Sequence, residues 1–225
     1  MAGSGITSKL VEKKPHLAKN GDRGVAGAVN ALRGDLTLAL RSLAAVTVEE
    51  WTNPVAADDN AIKTTIATVA TEQTYTGSAL NGAVGTAVMS PARNITVTTT
   101  DDAGTWDGVI TVYGLDANGF VQTEEITLAN NTVIAGVKAF KKVTKLVVDA
   151  QNDTNGAFIV GFGDLIGLTK KPKVRAGLAC VLKEIYDGGV VTNGTLSATN
   201  STYSPNTAPN GTHDYAVYYE FDPTV

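Results

Sequence analysis

His213 stands next to Asp214, and hydroxyl side chains abound: 30 of the 225 residues are Thr. A histidine backed by a carboxylate is the pair that turns a hydroxyl into a nucleophile. Abundance weakens the case here. No Gly-x-Ser-x-Gly elbow marks one hydroxyl out, and neighbours in a strand point to opposite faces. His16, the other histidine, lies far away in a charged leader and reads as exposed. Cys180, between Ala179 and Val181 in an apolar stretch, reads as a small core residue. No catalytic residue is assigned, and the chain is not read as an enzyme.

Metal and cofactor chemistry fares no better. One Cys excludes a disulfide framework and a Cys-rich zinc site. The acidic groups Asp58-Asp59, Asp101-Asp102 with Asp107, and Glu124-Glu125 offer oxygens to Ca²⁺, but none follows the EF-hand register. Asp101-Asp102-Ala103-Gly104 is more simply a turn. The run from Gly161 through Gly163 to Gly167 resembles a dinucleotide-binding glycine loop, yet its spacing is off by one. Pro172 also falls where such a loop needs a helix, so the run is expected to be a strand exit with Gly at positive φ. No metal and no cofactor is assigned.

Two basic groups remain, Lys138, Lys141, Lys142 and Lys145, then Lys170, Lys171, Lys173 and Arg175. Neither is interleaved with Trp or Tyr, as a nucleic-acid surface would be. A local patch that meets an acidic protein surface fits better, so no nucleic-acid partner is expected. No segment approaches the roughly 20 apolar residues of a membrane span, and no leader resembles a secretion signal. The expectation is a chain made and assembled in a cytoplasm, with no membrane partner.

Composition and charge set the frame for these groups. Rich Thr, Val and Gly with only two Met is the palette of strands and tight turns. The net charge of −4 averages two unlike parts. Residues 1–41 carry Lys9, Lys13, Lys14, Lys19, Arg23, Arg33 and Arg41 against Glu12, Asp22 and Asp35, a balance of +4, so the rest carries −8.

Residues 1–24 hold much charge and few large apolar groups and read as an extended basic arm, either a solvated tail or an arm lying on an acidic partner. Val25, Val29, Leu32, Leu36, Ala39 and Leu43 follow at alternating spacings of four and three, a helical seam over 25–44. That helix packs either on its own domain or on a neighbouring subunit.

From residue 45 the period becomes two, which predicts a single β-rich body over 45–225. Strands are expected up to Trp51, over 62–70, from 95, over 109–113 and 122–128, 132–137, 143–148, 157–162, 178–186 and 215–221. Asn118-Gly119 between alternating runs predicts a tight hairpin with positive φ at both residues. Pro91 is expected to precede a strand. Residues 193–211 read as a long exposed loop with Tyr203 its one aromatic. In the last strand Tyr215, Val217, Tyr219 and Phe221 share a face and should close a core. The fold class expected is mainly β, an antiparallel sandwich or barrel of jelly-roll-like form, with an extended N-terminal arm and a short helix.

Several phrases resemble virion proteins of tailed bacteriophages: Val29-Asn-Ala-Leu-Arg-Gly-Asp-Leu, Ala44-Ala-Val-Thr-Val-Glu-Glu-Trp, Gly136-Val-Lys-Ala-Phe-Lys-Lys-Val-Thr, Val160-Gly-Phe-Gly-Asp, and the ending that begins Thr202-Tyr-Ser-Pro. The chain is most similar to head decoration, or cement, proteins. That resemblance implies a β-rich body, often trimeric, bracing adjacent capsomers on the capsid exterior, with the major capsid protein as partner. The capsid-contact candidates, assigned from charge and periodicity, are Lys9, Lys13, Lys14, Lys19, Arg23, Val25, Val29, Leu32, Leu36 and Leu43. Alternatives are a head–tail connector, a tail-fibre component or a glycan-binding module.

Overall fold

A computed structural model describes residues 45–82, 87–100, 108–130, 132–152, 156–175, 178–179 and 181–223. The basic arm, the helical seam and all ten capsid-contact candidates lie outside the described residues. So do Asp101, Asp102, Asp107 and Cys180. The chain divides into two units, Met1–Val46 and Thr47–Val225.

Fifteen strands run among the described residues: β1 (Val46–Trp51), β2 (Asp58–Ala67), β3 (Gln73–Thr76), β4 (Val88–Thr100), β5 (Val109–Leu115), β6 (Val121–Thr127), β7 (Val133–Val148), β8 (Ala157–Gly167), β9 (Val174–Arg175), β10 (Leu178–Ala179), β11 (Val181–Tyr186), β12 (Gly189–Val191), β13 (Thr195–Ser197), β14 (Thr202–Ser204) and β15 (Tyr215–Glu220). The fold is mainly β and antiparallel, and the larger sheet curls into a half-barrel. Its strand order is β13-β14-β8-β4-β7-β5-β6, with β2 added on β8 and β3 on β7. A second sheet runs β1-β15-β11-β12, and β9 and β10 pair separately.

Alternation is clean in β5, whereas the central strands β4 and β8 are buried on both faces over most of their length. In β5, Ile110 and Val112 are fully buried, and in β7 so are Phe140, Leu146 and Val148. Ile62, Ile66, Ile95, Val97, Phe158 and Val160 complete that core. Each such side chain contributes about 1.5–3 kcal/mol by leaving water. The smaller core joins Leu168, Tyr203, Val217 and Tyr219, with Trp51 and Phe221 packed against it. Tyr215, Val217 and Tyr219 are the buried face of β15 as the period predicts.

Four expectations are corrected. Pro91 lies inside β4, joined to Ser90 by a cis peptide. It falls where the pairing jumps from Val88↔Lys142 to Arg93↔Phe140, so the ladder asks no N–H of it. The separate strands at 132–137 and 143–148 are one, β7, because the intervening Lys138–Lys142 stretch pairs along β4. Residues 193–211 are not an unstructured loop. They form β13 and β14, and Tyr203 is fully buried with its hydroxyl bonded to Glu184.

The glycine run is the fourth. It lies within β8, and none of Gly161, Gly163 and Gly167 has positive φ. These positions are small because other groups crowd them: a Cβ on Gly161 would stand 1.9 Å from the Asp58 carbonyl oxygen.

The β5–β6 hairpin forms as expected, in register from Val109↔Thr127 to Leu115↔Val121. Its turn spans Asp116 to Phe120, and of Asn118 and Gly119 only Gly119 takes positive φ, +86°.

Candidate functional site

Three turns and the middle of β7 enclose a cleft of about 580 Å³. The first turn joins β5 to β6. Asp116 Oδ1 accepts from the N–H groups of Asn118 at 2.9 Å and Phe120 at 2.8 Å. The Asp116 N–H closes the loop onto the Phe120 carbonyl. This Asx-type geometry is why the turn holds one shape, and it leaves Phe120 71% and Val121 83% exposed.

The second wall is the segment after β8. Glu49 reaches it from β1: its Oε1 accepts from the Thr169 N–H at 2.7 Å and the Thr169 hydroxyl at 3.0 Å. The Tyr219 hydroxyl lies 2.6 Å from that oxygen and 3.0 Å from the Lys170 carbonyl. It has one proton, which goes to the nearer, charged acceptor. Burial, then the Glu49 charge, pushes the Tyr219 hydroxyl far above its ordinary pKa. The third turn is tied to the second by the Leu168 N–H on the Ser201 carbonyl, with Ser201 at φ +50°.

The cleft floor is made of small residues. A Cβ on Gly167 would meet Ala139 at 2.8 Å and Ala117 at 3.4 Å. Lys138, Lys170 and Lys171 line the walls, so the structure joins one member of the first lysine group to two of the second. Lys138 spends one donor on the Thr123 carbonyl at 2.7 Å. Lys145, by contrast, lies 3.8 Å above the Tyr113 ring, a cation–π contact away from the cleft. Asp116 is the carboxylate among the lining residues.

His213 does pair with a carboxylate, but with that of Asp187 and not its neighbour Asp214. Asp187 sits at φ +48° in the β11–β12 turn. Its other oxygen accepts the Asp214 N–H at 3.0 Å, and its own N–H returns to the Asp214 carbonyl. The Asp214 N–H first, then His213, hold the Asp187 carboxyl below its ordinary pKa against a smaller desolvation penalty. Asp214 in turn accepts the Asn53 N–H, and the Tyr186 ring lies 4.6 Å from the imidazole. The group pins the β12 hairpin to the start of β15, which is bracing work.

Buried charge elsewhere is likewise spent on the chain itself. Glu184 accepts from the Tyr203 hydroxyl and from the Gly194 N–H at 2.7 Å. Arg93 donates to the carbonyls of Gly163 at 2.8 Å and Val55 at 2.7 Å, and to Asp164 at 3.2 Å. Burial lowers its pKa to about 10. Asp58 accepts the Asn60 N–H, and Glu124 holds a bulge in β7. Among the described residues no three His, Cys, Asp or Glu side chains converge as a metal site, and no helix is long and apolar enough to cross a membrane.

Sequence reasoning missed Glu49 and Phe120. Glu49 carried no local mark, whereas Phe120 directly follows the Asn-Gly pair that exposes it. No family model, curated protein or solved structure matches the chain.

Proposed function

We propose that the protein is a structural virion protein that decorates and stabilises the outer surface of a bacteriophage capsid, as a homotrimer bridging neighbouring major capsid subunits. The observation that carries this reading is the division of charge, +4 on residues 1–41 against −8 on the remainder. A basic leader on an acidic body suits docking on an acidic protein surface. The phage-like phrases point the same way. The bracing supports it too: Glu49, Glu184 and Arg93 each fasten a loop to a sheet, as a body under load requires. Weak contacts repeated over a symmetric shell add avidity and resist pressure from within.

The test is to delete residues 1–24 and measure occupancy on capsids of the encoding phage. Reduced occupancy is expected, and full occupancy would remove the arm's role. Copy number separates the readings: hundreds per particle for decoration, a dozen or fewer for a connector or tail fibre. A glycan array without hits removes the glycan-binding alternative.

A further inference from the structure

We propose that the cleft between the β5–β6 turn and residues 168–171 and 199–201 is a docking site for a short acidic segment of a partner protein. Its charge is the first argument. Lys138, Lys170 and Lys171 line it, and Lys170 and Lys171 are exposed, with no carboxylate partner among the described residues. The one lining carboxylate, Asp116, is already accepting two backbone N–H groups of its own turn. The Ser201 hydroxyl and the Asn200 side-chain amide add donors beside the ammonium groups.

The second argument is rigidity. Glu49, itself held by the Tyr219 hydroxyl, fixes the backbone N–H groups of Thr169 and Lys170, and Asp116 fixes the backbone that carries Phe120. Ordering a binding surface costs affinity, and here most of that ordering is done in advance. Phe120 supplies an exposed aromatic anchor next to the basic wall, and aromatic side chains are enriched at protein interfaces. The volume falls within the roughly 300–1,000 Å³ of ordinary recognition clefts.

The field of the whole body chooses between polyanions and peptides. Residues 42–225 carry −8, which repels a long polyanion while three local lysines still attract a few carboxylates. Nucleic-acid binding gains by neutralising many phosphates and by stacking bases, and this cleft offers three cations and one phenyl ring. The chain's own leader, at +4, is excluded by sign.

The inference is independent of the capsid reading, and its test uses the full chain alone in solution. A fluorescein-labelled octapeptide of alternating Asp and Glu is titrated by fluorescence anisotropy, alongside its Asn/Gln counterpart and a single-stranded oligonucleotide of equal charge. The acidic peptide should bind with salt-sensitive affinity and the Asn/Gln peptide should not. Lys170→Glu with Lys171→Glu should weaken binding about tenfold or more, and Phe120→Ser severalfold. Both lysine side chains are exposed and only their backbones brace the fold, so the thermal midpoint should stay put. Lys170→Gln with Lys171→Gln gives a milder second reading. Affinity unchanged in the double variant would assign the peptide to the leader and overturn the proposal. So would an absence of peptide binding, or an oligonucleotide that binds more tightly with the same lysine dependence.

Discussion

Glu49 and Tyr219 are 170 residues apart in the chain and share a 2.6 Å hydrogen bond between β1 and β15 of the smaller sheet. The same carboxylate oxygen holds the Thr169 N–H and hydroxyl, so three elements meet at one atom. Glu49→Ala strands several buried donors and should cost about 3–5 kcal/mol. Tyr219→Phe removes one of those bonds and should cost about 1–2 kcal/mol. Urea unfolding measures both, and equal losses would refute a hub centred on Glu49.

Arg93 is 1% exposed, whereas its ion-pair partner Asp164 is 46% exposed. The guanidinium therefore matters chiefly for the carbonyls of Gly163 and Val55. Arg93→Met should lose about 3 kcal/mol by orphaning them. Asp164→Asn should lose less than about 1 kcal/mol, because solvent screens that pair. A larger loss from Asp164→Asn than from Arg93→Met would contradict this ranking.

Glu124 predicts a pH dependence. Desolvation raises its pKa above 4.5, against the opposing pull of the Val137 and Lys138 N–H groups and the Lys138 charge. A carboxyl with a raised folded-state pKa binds its proton more tightly folded than unfolded. Its contribution to stability therefore grows as pH falls through the raised value, levels off below the unfolded value near 4.5, and is lost as pH rises again. Relative to Glu124→Gln, which has no proton to bind, the native chain should gain stability on acidification across that window. Parallel urea midpoints from neutral pH downward would overturn the assignment.

Gly161 and Gly119 separate crowding from conformation. A Cβ at Gly161 would collide with the backbone of Asp58 and Asp59, where neither strand can yield. Gly161→Ala should cost about 3 kcal/mol or break the β2–β8 pairing. Gly119 faces open space at φ +86°, so Gly119→Ala should cost only about 1 kcal/mol. Thermal midpoints of the two variants test the order.

What was legible in the sequence was local. The β5–β6 hairpin follows from alternation on either side of Asn118-Gly119, and the buried face of β15 follows from Tyr215, Val217 and Tyr219. Elements defined by distant partners were not legible. Pro91 fits inside β4 because of what β7 does opposite it, and Tyr203 is buried because Glu184 and the smaller core receive it. The cleft belongs to this second kind. Lys138 and Lys170 face it together because β7 and the end of β8 meet there, and their spacing in the chain carries no sign of that.

One closure in the larger sheet is made without a ladder. β5 pairs with residues 142–148 of β7. Further back, at the bulge opposite Asn94 and Thr96, β6 meets β7 through side chains. Glu124 accepts from Val137 and Lys138, Gln122 donates to Ala139, and Lys138 donates to Thr123. Asn94 binds the Gly136 carbonyl from the other side.

The smaller sheet sets a timetable for biogenesis. β1 neighbours β15 in the sheet, yet the ribosome delivers β15 some 170 residues later. Until then β1 lacks the one ladder partner it has among the described residues, while the larger sheet, built from β2 to β8 with β13 and β14, can already assemble. Long-range closure of this kind is slow, so maturation should run in two stages, with an exposed β1 edge as the signature of the first.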